Sequence, residues 1–164
     1  MRATRKERIR KVVKKFPFAA CAFGLVNDIN LNLVFRSLCN FGGIEFFVVG
    51  SDSWFRGATN GLEELVKVTH FKDCHAFLEH MKETDYELVA IEQSDNSVSL
   101  QDFNHTKKPC FIFGNETTGL KDDCLLSADA ILEIPMEGYH PCLNVGVSSG
   151  IVFYDFCYGK KMND

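Results

Sequence analysis

Apolar residues fall in short runs along this chain, and the runs are continuous rather than alternating. Phe18–Val26 (FAACAFGLV) and Ile44–Val49 (IEFFVV) each read as a buried strand, Glu87–Ile91 (ELVAI) as another strand and Cys110–Phe113 (CFIF) as a short apolar one. Val66–Phe71 (VKVTHF) mixes apolar and polar positions, as an edge strand does. The segments between them carry helical spacing or turn residues. Asn27–Asn32 reads as a polar loop with helix-capping residues, and Leu31–Phe41 as a helix stopped by Gly42-Gly43. Residues 50–61 read as a loop and residues 62–66 as a short helix; Asp73 can cap a helix running to about Lys82, and another polar loop follows Ile91. A short helix is predicted near Asp122–Leu126. Residues 3–15 predict a basic amphipathic helix with Ile9, Val12 and Val13 on one side. Strands alternating with helices predict an α/β fold: a mainly parallel sheet with helices on both faces.

The stretch Ile131–Tyr158 adds a local geometry to this pattern. It begins as a short strand, ILEI, which Pro135 and Gly138 break. The loop Met136–Pro141 then runs through Cys142, Leu143 and Asn144 into a largely apolar helix. Gly146 and Gly150 lie on one face of that helix. Glycine costs a helix about 1 kcal/mol per residue, so a close packing partner is expected there. Strand, exposed loop and helix N-terminus together suit a small ligand.

Composition narrows the classes. At 164 residues, with 46% apolar content and 15 Phe, the chain is long and apolar enough for one domain, 1–164, with its own core. No apolar run reaches the length of a membrane span, and the first residues lack the apolar segment of a secretory signal. Seven cysteines, without a C-x-x-C pair, predict reduced thiols in the cytoplasm and no metal site. The net charge of −4 is unevenly spread. Residues 1–15 hold eight of the 18 Lys and Arg and one of the 22 Asp and Glu, a local +7 against −11 for the remainder. Such a segment either binds a polyanion or is a solvated helix face.

In open α/β sheets ligands sit outside the carboxyl ends of strands, so the loops Asn27–Asn32, Gly114–Leu120 and Met136–Leu143 are the site candidates. Gly114–Lys121 (GNETTGLK) nearly matches a phosphate-binding loop but has Leu120 where the lysine belongs. Glu116 would also set a carboxylate inside the cradle, which argues against a nucleotide hydrolase and for a neutral or cationic ligand. No G-x-G-x-x-G occurs. Arg36 stands in an otherwise apolar helix and either snorkels to the surface or points into a site, the first being commoner. Cys142 at a helix N-terminus could be a nucleophile, with His140 near in sequence, although a buried thiol is the commoner case.

Taken together, the three loops resemble the SpoU/TrmH family of RNA ribose 2′-O-methyltransferases in the SPOUT superfamily. The first motif matches at Asn30 and Arg36, followed by Asn40-Phe41-Gly42. The second matches at Phe113-Gly114-Asn115-Glu116 with Gly119-Leu120, and the third at Ile134-Pro135-Met136 and Leu143-Asn144-Val145, with Gly150, Ile151 and Tyr154 beyond.

The resemblance implies a homodimer whose C-terminal segment, about 109–158, is threaded as a deep trefoil knot that binds S-adenosylmethionine without a metal. It implies that main-chain groups of Gly114, Ile134 and Leu143 hold the cofactor, with Phe113, Gly119, Met136 and Asn144 around it. Arg36 would act on the ribose hydroxyl, supported by Asn30, Glu116, Asn144 and Cys142. A tRNA or rRNA nucleotide is the expected acceptor, met by Arg36 and by Arg5, Lys6, Arg8 and Lys11 of the basic segment. The chain departs from the family where Asn32 replaces glycine and Cys142 replaces serine. A thiol hydrogen-bonds more weakly than a hydroxyl. The alternative reading is therefore a weakly active or inactive RNA-binding or assembly protein that keeps the fold.

Overall fold

Burial follows from the apolar runs. The computed structural model describes residues 14–51 and 62–159. Seven parallel strands form one sheet: β1 (Ala19–Phe23), β2 (Glu45–Val49), β3 (Lys67–Phe71), β4 (Glu87–Ile91), β5 (Val98–Ser99), β6 (Pro109–Phe113) and β7 (Ala130–Glu133). Every residue of β1 and β6 is buried, which explains why those strands show no polar alternation. Successive residues point to opposite faces and join two cores. On one face Ala20, Ala22, Phe46, Val48 and Phe111 meet helices α1 (Asp28–Asn40) and α4 (Val145–Tyr158). On the other, Cys21, Phe47, Ala90 and Ile112 meet α2 (Cys74–Lys82) and α3 (Asp122–Leu126). Phe18 anchors the first core, its ring 5.0 Å from Phe153, 5.3 Å from Phe156 and 6.0 Å from Phe111.

Element boundaries follow their caps. The Asn27 side chain accepts from Ile29 N at 2.8 Å, so α1 starts at Asp28. The expected loop Asn27–Asn32 is thus mostly helix, because the capping residue lies earlier than the apolar pattern does. The helix ends where Gly42 takes φ +76° and Gly43 N donates to Leu38 O at 3.0 Å. A side chain at Gly42 would also run into Lys14 O. The Asp73 cap and the helix to Lys82 form as expected. The polar stretch after Ile91 contains β5, two residues too short to register in the apolar pattern. Most of the predicted basic helix, and the loop 52–61, lie outside the described residues. Its last two positions, Lys14 and Lys15, are not helical.

The strand order β3-β2-β1-β6-β4-β7-β5 places the site. The chain builds outward from β1 to β3 and then returns past it to β4, and β6 fills the gap between β1 and β4. A crevice lies at the carboxyl ends of β6, β4 and β7, with Asn30 at the start of α1 on its border. Helices α1 and α4 pack against each other above it. Gly146 permits this: a Cβ there would lie 2.6 Å from the Leu33 Cβ, whereas one on Gly150 would meet nothing within 4 Å. The expected close contact thus falls on one of the two glycines. No helix among the described residues is long and apolar enough to cross a membrane.

Candidate active site

A cleft of about 500 Å³ occupies the crevice, a size suited to a nucleoside-like ligand. Its floor is the apolar end of the sheet, Ile91, Phe113, Leu132 and Ile134, and its rim is polar. All seven residues expected to surround a cofactor (Phe113, Gly114, Gly119, Ile134, Met136, Leu143 and Asn144) line it.

The loop after β6 is a tight turn with little room for anything but glycine. Asn115 and Gly119 exchange two main-chain hydrogen bonds, 3.1 Å and 2.9 Å, with Gly119 at φ +65°. A Cβ on Gly114 would lie 2.5 Å from the Gly119 carbonyl carbon. The Asn115 side chain accepts from Thr117 N and Thr118 N and donates to Gly24 O, which ties the turn to the end of β1. The N–H groups of residues 117–120 are all engaged, the last by Glu92. They cannot form a phosphate cradle, which removes the hydrolase reading on geometry as well as on sequence.

Three motif residues meet in one chain of hydrogen bonds. Asn144 Nδ2 donates to Asn30 Oδ1 at 2.9 Å, and Asn30 Nδ2 donates to Glu116 Oε1 at 2.9 Å. Glu116 also accepts from Val26 N and Asn27 N, each at 3.4 Å. Partial burial works to raise the Glu116 carboxyl, but these donors, the Asn30 amide foremost, hold it below the usual range. Asn144 also caps α4, its side chain accepting from Gly146 N at 2.9 Å. One residue thus fixes a helix start and the network together.

The remaining expected residues fall differently. Arg36 is exposed on α1 and does not line the cleft. It shares its helix face with the exposed Ile29 and Leu33. Cys142 lines the cleft as an exposed free thiol, not a buried one, with Sγ 3.6 Å from His140 Nδ1. Asn32 is buried at 4% exposure and donates to Asp28 O. Arg5, Lys6, Arg8 and Lys11 lie outside the described residues.

Sequence reasoning missed Glu92. It follows the buried strand ELVAI at the carboxyl end of β4, a position that does signal a ligand site. Its Oε2 accepts from Leu120 N at 3.0 Å and its Oε1 from Gln93 N at 3.1 Å. The neighbouring Gln93 Nε2 donates to Pro141 O at 3.0 Å. These two residues hold the loops after β6 and β7 against each other.

The chain resembles known proteins along most of its length. It is 29% identical over 129 residues to the tRNA (guanosine(18)-2'-O)-methyltransferase of Escherichia coli K12, covering 77% of this chain and 56% of that protein. The chain therefore spans a little over half the length of that relative. The Aquifex aeolicus protein of the same name is 26% identical over 157 residues, covering 92% and 74%. The crystal structure of an A. aeolicus TrmH/SpoU tRNA modifying enzyme superposes with TM-score 0.80 at 25% identity, covering 95% of this chain and 82% of that one. The methyltransferase AviRb from Streptomyces viridochromogenes, solved with AdoMet, shares the fold at TM-score 0.76 and 20% identity, covering 94% and 64%. The fold, the convergent loops and the ordered motifs all belong to the segment 18–154 that matches the SpoU rRNA Methylase family, and the chain is a member of that family.

Proposed function

We propose that this chain transfers a methyl group from S-adenosylmethionine to the ribose 2′-hydroxyl of a tRNA or rRNA nucleotide. The observation that carries the reading is the hydrogen-bonded chain Asn144–Asn30–Glu116 on the rim of a nucleoside-sized cleft built by the three family motifs. The residues present fit the cofactor: the floor is apolar, the phosphate-binding option is closed, and carboxylates line the cleft. Main-chain groups of Gly114, Ile134 and Leu143 would hold it, beside Phe113, Gly119, Met136 and Asn144. The cofactor would supply an electrophilic methyl group.

The protein's own part is placement and charge. Holding the acceptor oxygen in line can contribute roughly 7–11 kcal/mol. Asn30 and Asn144 are positioned by the bond between them to present the ribose, and the Glu116 carboxylate keeps Asn30 oriented. A guanidinium is a strong donor and a poor base, so Arg36 is assigned to stabilise the developing alkoxide. Its exposure is consistent with action on a second copy of the chain. Ile29, Leu33, Val147, Ile151 and Tyr154 leave an apolar surface on α1 and α4 beside it, which a homodimer would cover. Cys142 would provide a weaker hydrogen bond than the family serine. The exposure of Arg36 equally suits the alternative of a fold retained without turnover.

Purified protein incubated with S-adenosylmethionine and total tRNA or rRNA, then digested to nucleosides, should yield a 2′-O-methylated nucleoside. Cofactor binding without any methylated product would support the inactive reading, and a methylated base would overturn the ribose assignment. RNA capture is assigned to the basic segment. Replacing Arg5, Lys6, Arg8 and Lys11 with Gln should weaken RNA binding and flatten its salt dependence, by about one counterion per lost phosphate contact. An unchanged salt slope would refute that role. The seven free thiols suit a reducing cytoplasm, which cell fractionation checks.

A further inference from the structure

We propose that Glu92 is the ribose-recognition residue of the cleft, its carboxylate taking the vicinal hydroxyls of the nucleoside that binds there. The inference rests on the cofactor assignment above and extends it to a residue outside the family motifs.

Three carboxylates line the cleft, and they differ in how their oxygens are held. Glu116 takes up donors from Asn30, Val26 and Asn27. Glu133 accepts the Ser97 hydroxyl at 2.7 Å. Glu92 receives one main-chain N–H on each oxygen, from Leu120 and from Gln93. A carboxylate offers about four lone-pair positions, so each Glu92 oxygen keeps one for a further donor. The group is also fixed in direction. A Cβ on Gly119 would lie 2.5 Å from Glu92 Oε2, so the carboxylate lies against bare backbone that only glycine provides. The two main-chain donors then hold it in place without consuming it.

Its position selects the ligand group. Glu92 follows Ile91 directly and stands between the ends of β6 and β7, beside the apolar floor of Phe113 and Leu132 where a base would lie. A sugar attached to such a base would bring its hydroxyls towards this carboxylate. Two adjacent hydroxyls match two adjacent carboxylate oxygens, and hydrogen bonds to a charged acceptor are the stronger kind. A ligand lacking one hydroxyl leaves a desolvated carboxylate lone pair unmet, which costs more than a lost neutral contact.

Calorimetry on the full chain with S-adenosylhomocysteine and its 3′-deoxy analogue tests this. Wild-type protein should prefer the diol ligand by roughly 10- to 100-fold. Glu92→Gln should weaken the diol ligand and reduce that preference to a few-fold, since the amide keeps one acceptor but loses the charge. If Glu92 only positions the loop, both ligands weaken together and the preference survives, which overturns the inference. If the wild type binds neither ligand, the cofactor assignment itself fails, a distinct result. Should Glu92→Gln not fold, Glu92→Asp retains the charge while withdrawing it by one methylene. The same loss of preference is expected there, and an unchanged preference refutes the proposal.

Discussion

Glu116 shows how one side chain can serve both stability and chemistry. It gathers donors from the end of β1 and from α1, and its carboxyl is held below the ordinary range by them despite partial burial. A depressed carboxyl contributes stability that is present above its unfolded pKa of about 4.3 and is lost as pH falls through the folded value. Wild-type protein should therefore lose stability below about pH 4, and Glu116→Gln should flatten that acid limb. Glu116 is largely exposed, so solvent screening limits the neutral-pH cost to about 1–2 kcal/mol. Urea midpoints measured across pH check this, and parallel acid limbs in the two proteins would remove Glu116 from the account. The thiols differ in the same environmental way: burial pushes Cys39 up to about 12 and Cys157 up to about 11, whereas Cys142 stands exposed in the cleft.

At the level of elements, α4 is placed by its first turn. Asn144 supplies the cap on Gly146 N and the link to Asn30, and Gly146 lets Leu33 of α1 approach. Removing both bonds in Asn144→Ala should destabilise the protein by about 1–3 kcal/mol, from the cap and the lost partner of Asn30 together. Thermal and urea unfolding read this, and a change below about 0.5 kcal/mol would show that neither contact matters. The end of α1 and the start of α2 were legible from Gly42 and Asp73, because capping acts within a few residues, whereas α1 starts three residues before the expected Leu31. Strand β5 was not, since two residues carry no periodicity and its pairing partner β7 lies more than thirty residues on.

For the whole molecule, the exposed position of Arg36 is the feature with the largest consequence. Arg36→Ala should lose transfer by about 10²–10³-fold, or roughly 3–4 kcal/mol, while cofactor binding survives. If Arg36 serves the cleft of a second copy, mixing that variant with the cleft-filling Leu143→Trp should restore activity that neither has alone. Each mixed dimer would then pair an intact cleft with an intact Arg36 from the other copy. Mixtures that stay inactive, from proteins that do form dimers, would confine Arg36 to its own chain or to the surface.

The sequence by itself determined the buried strands and the helix caps, because both are written in windows of a few residues. The motif order also told which loops would meet: Asn30, Glu116 and Asn144 were named from it, and all three line one cleft. Only the tertiary structure decided how they meet. The bonds joining them span 86 and 114 residues, and they exist because β6 inserts between β1 and β4. The same insertion sets Glu92 against the bare backbone of Gly119, a contact that no local pattern predicts. Arg36 faces outward, since which face of a helix meets a neighbour depends on elements distant in the chain.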